Sequence, residues 1–232
     1  SFRGLEIVAT QGVAPRRLAN DEEGSHGHAH DHEHARDHAH DDRRASAGHG
    51  HDHGAFDPHA WQDPGNALVY VENIARGLAS ADPANRDVYL RRAAGYAARI
   101  EALDRELAQA FGSLPRTQRR VITQHDAFGY FAQAYGIDFI SAVGISSAAE
   151  PSAKEVAALV TQAKDSKVKG IFVENISNPR LVEQIAQEAG VRVGGTLYSD
   201  ALAKAGHPAD TYLGMMRWNA RQLLDVFRAG DS

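Results

Sequence analysis

The 232-residue sequence contains no cysteine, which excludes disulfide bonds and thiolate metal ligands. It has no apolar run near the roughly 20 residues that a membrane-spanning helix requires. The His-Glu-x-x-His motif of zinc proteases is also missing. No basic patch is interleaved with aromatic residues, so nucleic-acid binding is not expected. The first four residues lack the pattern of a signal peptide and suggest the interior of a longer protein.

Histidine is abundant, and ten of the thirteen histidines lie within residues 24–54, a stretch without any bulky apolar residue. Such a stretch cannot form a packed core, so we expect an exposed loop. Neutral imidazole is the commonest protein ligand of zinc and copper, and the neighbouring carboxylates add oxygen donors. The predicted auxiliary ligands are His26, His28, His30, His32, His34, His38, His40, His49, His51 and His53.

The net charge of −5 is unevenly distributed along the chain. Residues 21–59 contain ten acidic residues against three arginines, whereas the remainder is slightly basic. An acidic, histidine-rich loop attracts cations and repels nucleic acids. Composition therefore indicates a protein that handles a transition metal, but it does not separate transport, sensing and catalysis.

The hydrophobic pattern in the first half predicts one strand and two helices. Leu5–Ala9 is expected to be a buried strand, and a helix is expected to begin at Asp63. The predicted buried face of that helix consists of Leu68, Val71, Ile74, Ala75 and Leu78. A second helix is predicted over residues 83–113 and would be about 40 Å long at 1.5 Å per residue, which suits a stiff connector.

Beyond residue 114, short apolar strands alternate with helices, a pattern typical of a parallel α/β sheet. The predicted strands are 121–123, 139–140, 171–173 and 191–194. One predicted helix follows the first strand and ends at 131, and three further helices are predicted over 152–164, 179–188 and 208–227. We expect residues 1–82, with the loop 24–54, to be the remainder of an incomplete N-terminal lobe. Residues 83–113 would be the linking helix, and 114–232 a C-terminal α/β lobe.

Three residues outside the loop are candidate metal ligands. His125 and Asp200 each follow a predicted strand, and ligands bind beyond the carboxyl ends of strands in parallel sheets. His59 directly precedes a predicted helix. Glu174 ends another strand, where it would either support a ligand or be a plain surface carboxylate. Trp61 is expected to pack beside the site.

Several motifs together resemble one known family. The segments DPHAW, HDAFGYF, PRLVEQIAQEAG and GGTLYSDAL are similar to the zinc-specific solute-binding proteins of bacterial ABC importers, the ZnuA and AztC group of cluster A-I. The resemblance extends from Leu5 to Phe227 and implies two Rossmann-like lobes with parallel sheets, joined by one long rigid helix. It also implies that His59, His125 and Asp200 bind Zn2+ in the cleft between the lobes.

The family's first histidine ligand has no counterpart in this sequence. We therefore expect that the segment carrying it is absent and that three ligands leave the zinc open to water. Relatives that bind manganese usually have a carboxylate in place of His125, so two imidazoles and one carboxylate favour zinc. Calcium and magnesium would require more oxygen ligands, whereas copper(II) and nickel(II) would also bind.

The implied function is a non-enzymatic, monomeric receptor that captures zinc in the periplasm and delivers it to an ABC transporter permease. The histidine-rich loop would either pass zinc to the cleft, with a periplasmic zinc chaperone as a further partner, or sense high zinc. Two alternatives remain open. An open three-ligand site also suits a zinc hydrolase, and the loop alone would suit a metal-buffering or adhesion protein.

Overall fold

A computed structural model describes residues 4–17, 56–142 and 152–229. The ten predicted auxiliary histidine ligands lie outside the described residues. In the described ranges the helices are α1 Pro64–Ala81, α2 Arg86–Gly112, α3 Gly129–Tyr135, α4 Ala153–Asp165, α5 Arg180–Ala189 and α6 Tyr212–Arg228. The strands are β1 Arg120–Thr123, β2 Asp138–Ser141, β3 Gly170–Glu174 and β4 Val193–Leu197. None of these helices is both long and apolar enough to cross a membrane.

The four strands form one parallel sheet in the order β2-β1-β3-β4, which confirms the predicted α/β class. The chain leaves β1 to place β2 on one side, then returns to place β3 on the other side. This reversal makes the carboxyl ends of β1 and β3 the switch point of the sheet. Ligands of open parallel sheets bind at such a point.

Alternate strand residues face two separate cores, as the two-residue period of a strand requires. Val121 and Phe172 face a large aromatic core shared with α2, α3 and α6. Ile122 and Ile171 face a smaller aliphatic core formed with α4 and α5. Because both faces are covered by helices, the sheet is rigid, and the side chains at its carboxyl edge are held in place.

Helix α2 has 27 residues and is therefore about 40 Å long at 1.5 Å per residue. It packs against α1, and its C-terminal half buries Ile100, Leu103, Leu107 and Phe111 in the aromatic core. The long helix that the sequence predicted is confirmed. The division into lobes on either side of it stays a prediction.

The predicted strand Leu5–Ala9 is wrong. The segment forms no strand, and Leu5 and Val8 are more than half exposed, because the described residues offer it no neighbouring strand to pair with. Within this segment Ile7 packs over Gly77 of α1, where a side chain would collide with it, and the carbonyl oxygen of Ala9 accepts from the side-chain amide of Asn73 at 2.9 Å.

The predicted buried face of α1 is partly wrong as well, since Ile74 and Leu78 are exposed. The buried face of α1 instead includes the small residues Ala67, Ala75 and Ala79.

Three element boundaries also differ from the prediction. Helix α3 begins at Gly129, because residues 124–128 form the turn that carries His125. Helix α6 begins at Tyr212, because the Thr211 side chain caps it by accepting from the backbone N–H of Gly214. Strand β4 is shifted toward the C-terminus and ends at Leu197, three residues before Asp200.

Candidate metal centre

The structure brings the three candidate ligands together. One ligand atom from each of His59, His125 and Asp200 lies within 4.8 Å of the other two. Nε2 of His59 is 3.3 Å from Oδ1 of Asp200, and Nε2 of His125 is 3.0 Å from its Oδ2. The two imidazole rings meet edge to face, with centroids 5.4 Å apart. Both Nε2 atoms therefore face the same carboxylate, an arrangement in which the three side chains could bind one ion.

His125 is held by the turn that follows β1. Its carbonyl oxygen accepts from the backbone N–H of Ala127 at 3.0 Å and from the hydroxyl of Thr123 at 3.2 Å. Its own backbone N–H donates to Oε1 of Glu174, the last residue of the neighbouring strand β3, at 2.8 Å. Since β1 and β3 are paired, the sheet itself fixes the separation of His125 and Glu174.

Glu174 also faces the imidazole of His125. Oε2 lies 2.5 Å from Nδ1, a close charge contact that is not aligned as a hydrogen bond. Glu174 is 1 % exposed, so it is not the plain surface carboxylate of the alternative prediction. Burial lowers the pKa of His125, but the contact with Glu174 and the charges of Glu174 and Asp200 outweigh it and raise that pKa above its ordinary value.

His59 has a buried carboxylate of its own, which sequence reasoning missed. Oδ1 of Asp57 lies 2.7 Å from Nδ1 of His59 and accepts from the backbone N–H of His59 at 2.9 Å. Burial raises the pKa of Asp57, but the hydrogen bonds from His59 and the charge of Arg16 bring it below its ordinary value. The sequence pattern Asp-Pro-His could have predicted this contact, because it places a carboxylate two residues before a candidate ligand.

Asp200 lies in the bend after β4, and that bend is attached to the segment carrying His59. The carbonyl oxygen of Ser199 accepts from the indole N–H of Trp61 at 3.1 Å and from the side-chain amide of Gln62 at 3.0 Å. The Trp61 ring also meets the imidazole of His59 edge to face, at 5.5 Å. The prediction that Trp61 packs beside the site is confirmed.

The arrangement suits a metal ion chemically. A carboxylate beside Nδ1 favours a proton on that nitrogen and leaves the lone pair of Nε2 for a ligand. The side chains of His59 and His125 are 5 % and 3 % exposed, whereas that of Asp200 is 29 % exposed. An ion would therefore enter from the side of Asp200 and meet two oriented imidazoles at the switch point of the sheet.

Residues 3–226 match the family model described as "ZnuA: Zinc-uptake complex component A periplasmic". The manganese ABC transporter substrate-binding lipoprotein PsaA of Streptococcus pneumoniae is 30 % identical over 73 % of this chain and 54 % of its own length. The iron ABC transporter substrate-binding lipoprotein MtsA of Streptococcus pyogenes serotype M1 is 31 % identical over 70 % and 53 %. The chain thus spans about half the length of these relatives, neither of which is named as an enzyme.

The fold has a similar counterpart among solved structures. The periplasmic zinc binding protein TroA from Treponema pallidum superimposes with a TM-score of 0.72 and 30 % identity, over 76 % of this chain and 65 % of that protein. The names of the three similar proteins state manganese, iron and zinc. The likeness therefore extends across proteins that are named for different metals.

Proposed function

This chain belongs to the ZnuA family of periplasmic metal-binding proteins, and from that membership we propose that it is the metal-binding receptor of an ABC importer. His59, His125 and Asp200 bind one ion in this proposal. The observation that carries it is the pairing of each imidazole with a buried carboxylate, Asp57 or Glu174, while both Nε2 atoms face Asp200. Paired carboxylates of this kind orient histidine ligands and strengthen their bonds to a metal.

We propose zinc as the ion. Two imidazole nitrogens and one carboxylate oxygen are typical zinc ligands, and a fourth position remains for water or another ligand. Manganese prefers more oxygen ligands and forms weaker complexes with a given set of donors. Copper(II) would bind at least as tightly, so selection against it depends on which metals are available rather than on affinity.

The proposed site of action is the periplasm, and the proposed partner is the permease of the importer. One chain supplies all three ligands, so a monomer is sufficient for binding. The histidines between residues 26 and 53 would add weaker zinc sites, either for capture, with a periplasmic zinc chaperone as the donor, or for sensing. A hydrolase is not favoured, because Glu174, the candidate base beside the site among the described residues, is engaged with the ring and backbone of His125.

A competition titration of zinc against a chelator tests the proposal. His59→Ala, His125→Ala and Asp200→Ala should each weaken the tight site by more than the about 10–100-fold that loss of an outer partner costs. The matched control is His38→Ala, which also removes one imidazole and should leave the tight site unchanged. Unaltered affinity in the His59 and His125 variants, or manganese competing as well as zinc, would contradict the proposal.

A further inference from the structure

A chain of polar contacts extends from Arg16 through Asp57 to His59. Nη1 of Arg16 donates to Oδ2 of Asp57 at 2.9 Å, and the other oxygen of that carboxylate lies 2.7 Å from Nδ1 of His59. We infer that Arg16 is a positioning residue for metal binding, which acts on the ligand His59 through Asp57. The inference rests on the proposed function, because it assumes that His59 binds the ion.

The carboxylate of Asp57 needs a partner on each oxygen. Its side chain is completely buried, and Oδ1 is occupied by the backbone N–H and the ring of His59. Without Arg16, Oδ2 would be a charged oxygen buried with no partner among these contacts, which is costly. The carboxylate would then turn or draw in water, and the imidazole of His59 would lose its fixed orientation.

Arg16 is itself fixed by its backbone. Its N–H donates to the hydroxyl of Tyr130 at 2.8 Å, and its carbonyl oxygen accepts from the N–H of Asp57 at 2.9 Å. The Tyr130 hydroxyl in turn donates to the carbonyl oxygen of Asp57 at 3.3 Å. These three hydrogen bonds hold the backbone of Arg16 beside Asp57 and do not involve the charge of the guanidinium.

The start of α3 leaves room for this ion pair. A Cβ atom at Gly129 would lie 2.1 Å from Nη1 of Arg16 and 2.7 Å from Oδ2 of Asp57. Any side chain at residue 129 would therefore push the guanidinium away from the carboxylate. Since both contacts are with side-chain atoms, an added side chain would displace the guanidinium of Arg16 and press on the carboxylate of Asp57.

The corresponding carboxylate behind His125 has no such cation. Glu174 accepts from the backbone N–H of His125 and contacts its ring, and no arginine or lysine of the described residues forms an ion pair with it. Glu174 is held by strand β3 within the sheet, whereas Asp57 lies in an irregular segment before the 3-10 turn Ala60–Gln62. Arg16 thus holds the carboxylate of Asp57 in place, as strand β3 holds that of Glu174.

The test compares zinc affinity in variants of the complete chain. Arg16→Met keeps the alkyl stem and should weaken zinc binding about 10–100-fold, as loss of an outer partner does. Arg16→Lys should recover part of the loss, because it restores a charged donor. The matched control is Arg17→Met, since the Arg17 guanidinium lies over the ring of Phe56, 5.3 Å from its centroid, rather than at Asp57. Arg17→Met should bind zinc like the wild type.

Two further measurements separate positioning from a loss of folding. If Arg16 acts through Asp57, Arg16→Met combined with Asp57→Asn should bind zinc no more weakly than Asp57→Asn alone. The visible spectrum of bound cobalt(II), which reports ligand geometry, should change in Arg16→Met at saturating metal and not in Arg17→Met. Gly129→Ala, which keeps the arginine but disrupts its contact with Asp57, should reproduce both effects if Arg16→Met does not fold.

The outcomes distinguish this inference from the proposed function. If His59→Ala loses zinc while Arg16→Met and Gly129→Ala bind it like the wild type, the inference is wrong and the proposed function stands. The inference is also overturned if the fold-loss of zinc affinity in the double variant Arg16→Met and Asp57→Asn equals the product of the losses in the two single variants. If His59→Ala binds zinc as tightly as the wild type, both are wrong.

Discussion

The two histidines of the site differ in what surrounds their carboxylate partners. Asp57 accepts from Arg16 and is neutralised by it, whereas Glu174 and Asp200 both place negative charge on His125 without a nearby cation among the described contacts. Negative charge stabilises the protonated imidazole. Competition between protons and metal should therefore be pronounced at His125.

Zinc affinity should fall with acidification, beginning above the ordinary histidine pKa. The pKa of His125 is raised, so a proton occupies its ring at a higher pH than usual, and a protonated ring cannot bind metal. Below that pKa each pH unit should cost about tenfold in affinity for this one proton. Titrations from about pH 8 to about pH 5 measure the onset. Affinity that stays constant over this range would exclude histidine ligation.

In the metal-free protein the raised pKa of His125 makes acidification stabilising, whereas acidification weakens zinc binding. Protonated His125 contributes stability that is fully present below the unfolded-state pKa and is lost as pH rises through the raised folded-state pKa. Glu174→Gln removes one of the charges that raise the pKa. In that variant both the loss of zinc affinity and this stability contribution should move to lower pH.

The individual ligands were predictable, but their supporting residues were not. His125 and Asp200 follow apolar strands, so their position at the carboxyl edge follows from the chain order alone. Asp57 and Arg16 are 41 residues apart, and their contact depends on how the chain returns after residues 18–55. No periodicity in the sequence encodes such a return.

At the level of elements, the prediction succeeded where apolar residues recur with a regular period. It failed where a segment's structure depends on another element that packs against it. Strand β1 and helix α2 have strong apolar periods, and both were predicted near their observed bounds. Leu5–Ala9 has the composition of a strand, yet a strand exists only when another strand accepts its hydrogen bonds. In α1, packing favoured the alanine stripe over the larger residues Ile74 and Leu78.

Two glycines should respond to alanine in opposite directions. Gly95 is exposed within α2 and has no atom within 4 Å of an added Cβ, so Gly95→Ala should stabilise the protein by about 0.5–1 kcal/mol. An added Cβ at Gly194 in β4 would lie 2.3 Å from the buried ring of Phe172, so Gly194→Ala should destabilise it by about 1–3 kcal/mol. Urea unfolding of the metal-free protein measures both changes. A destabilising Gly95→Ala would indicate that this part of α2 is covered rather than free.

At the scale of the whole molecule, the residues on either side of the histidine-rich segment are joined to each other. Arg17 and Phe56 form an antiparallel bridge, and the Asp57 N–H donates to the Arg16 carbonyl oxygen at 2.9 Å. The Tyr130 hydroxyl contacts the backbone of both Arg16 and Asp57. All of these contacts lie in the described residues, and they connect the two sides of the segment to the residues that support the metal centre.

Replacing residues 24–54 with a short Gly/Ser linker should therefore leave the tight zinc site intact. Arg17 and Phe56, which flank the segment, already lie side by side, and a shorter loop is no harder to close. Native mass spectrometry should find one retained zinc and lose the additional labile ions. Zinc at about 1,000 times its dissociation constant should still stabilise the fold by about 4 kcal/mol.

The kinetics of the shortened protein should reveal what the segment contributes. The replaced residues carry six carboxylates against three arginines, and their removal weakens the attraction of cations toward the site. Zinc association should therefore slow while zinc dissociation from the cleft stays the same, which stopped-flow measurements with a fluorescent chelator can separate. Loss of the tight site itself would instead mean that the segment is the principal metal binder, as in a buffering protein, and that the cleft between His59, His125 and Asp200 is insufficient alone.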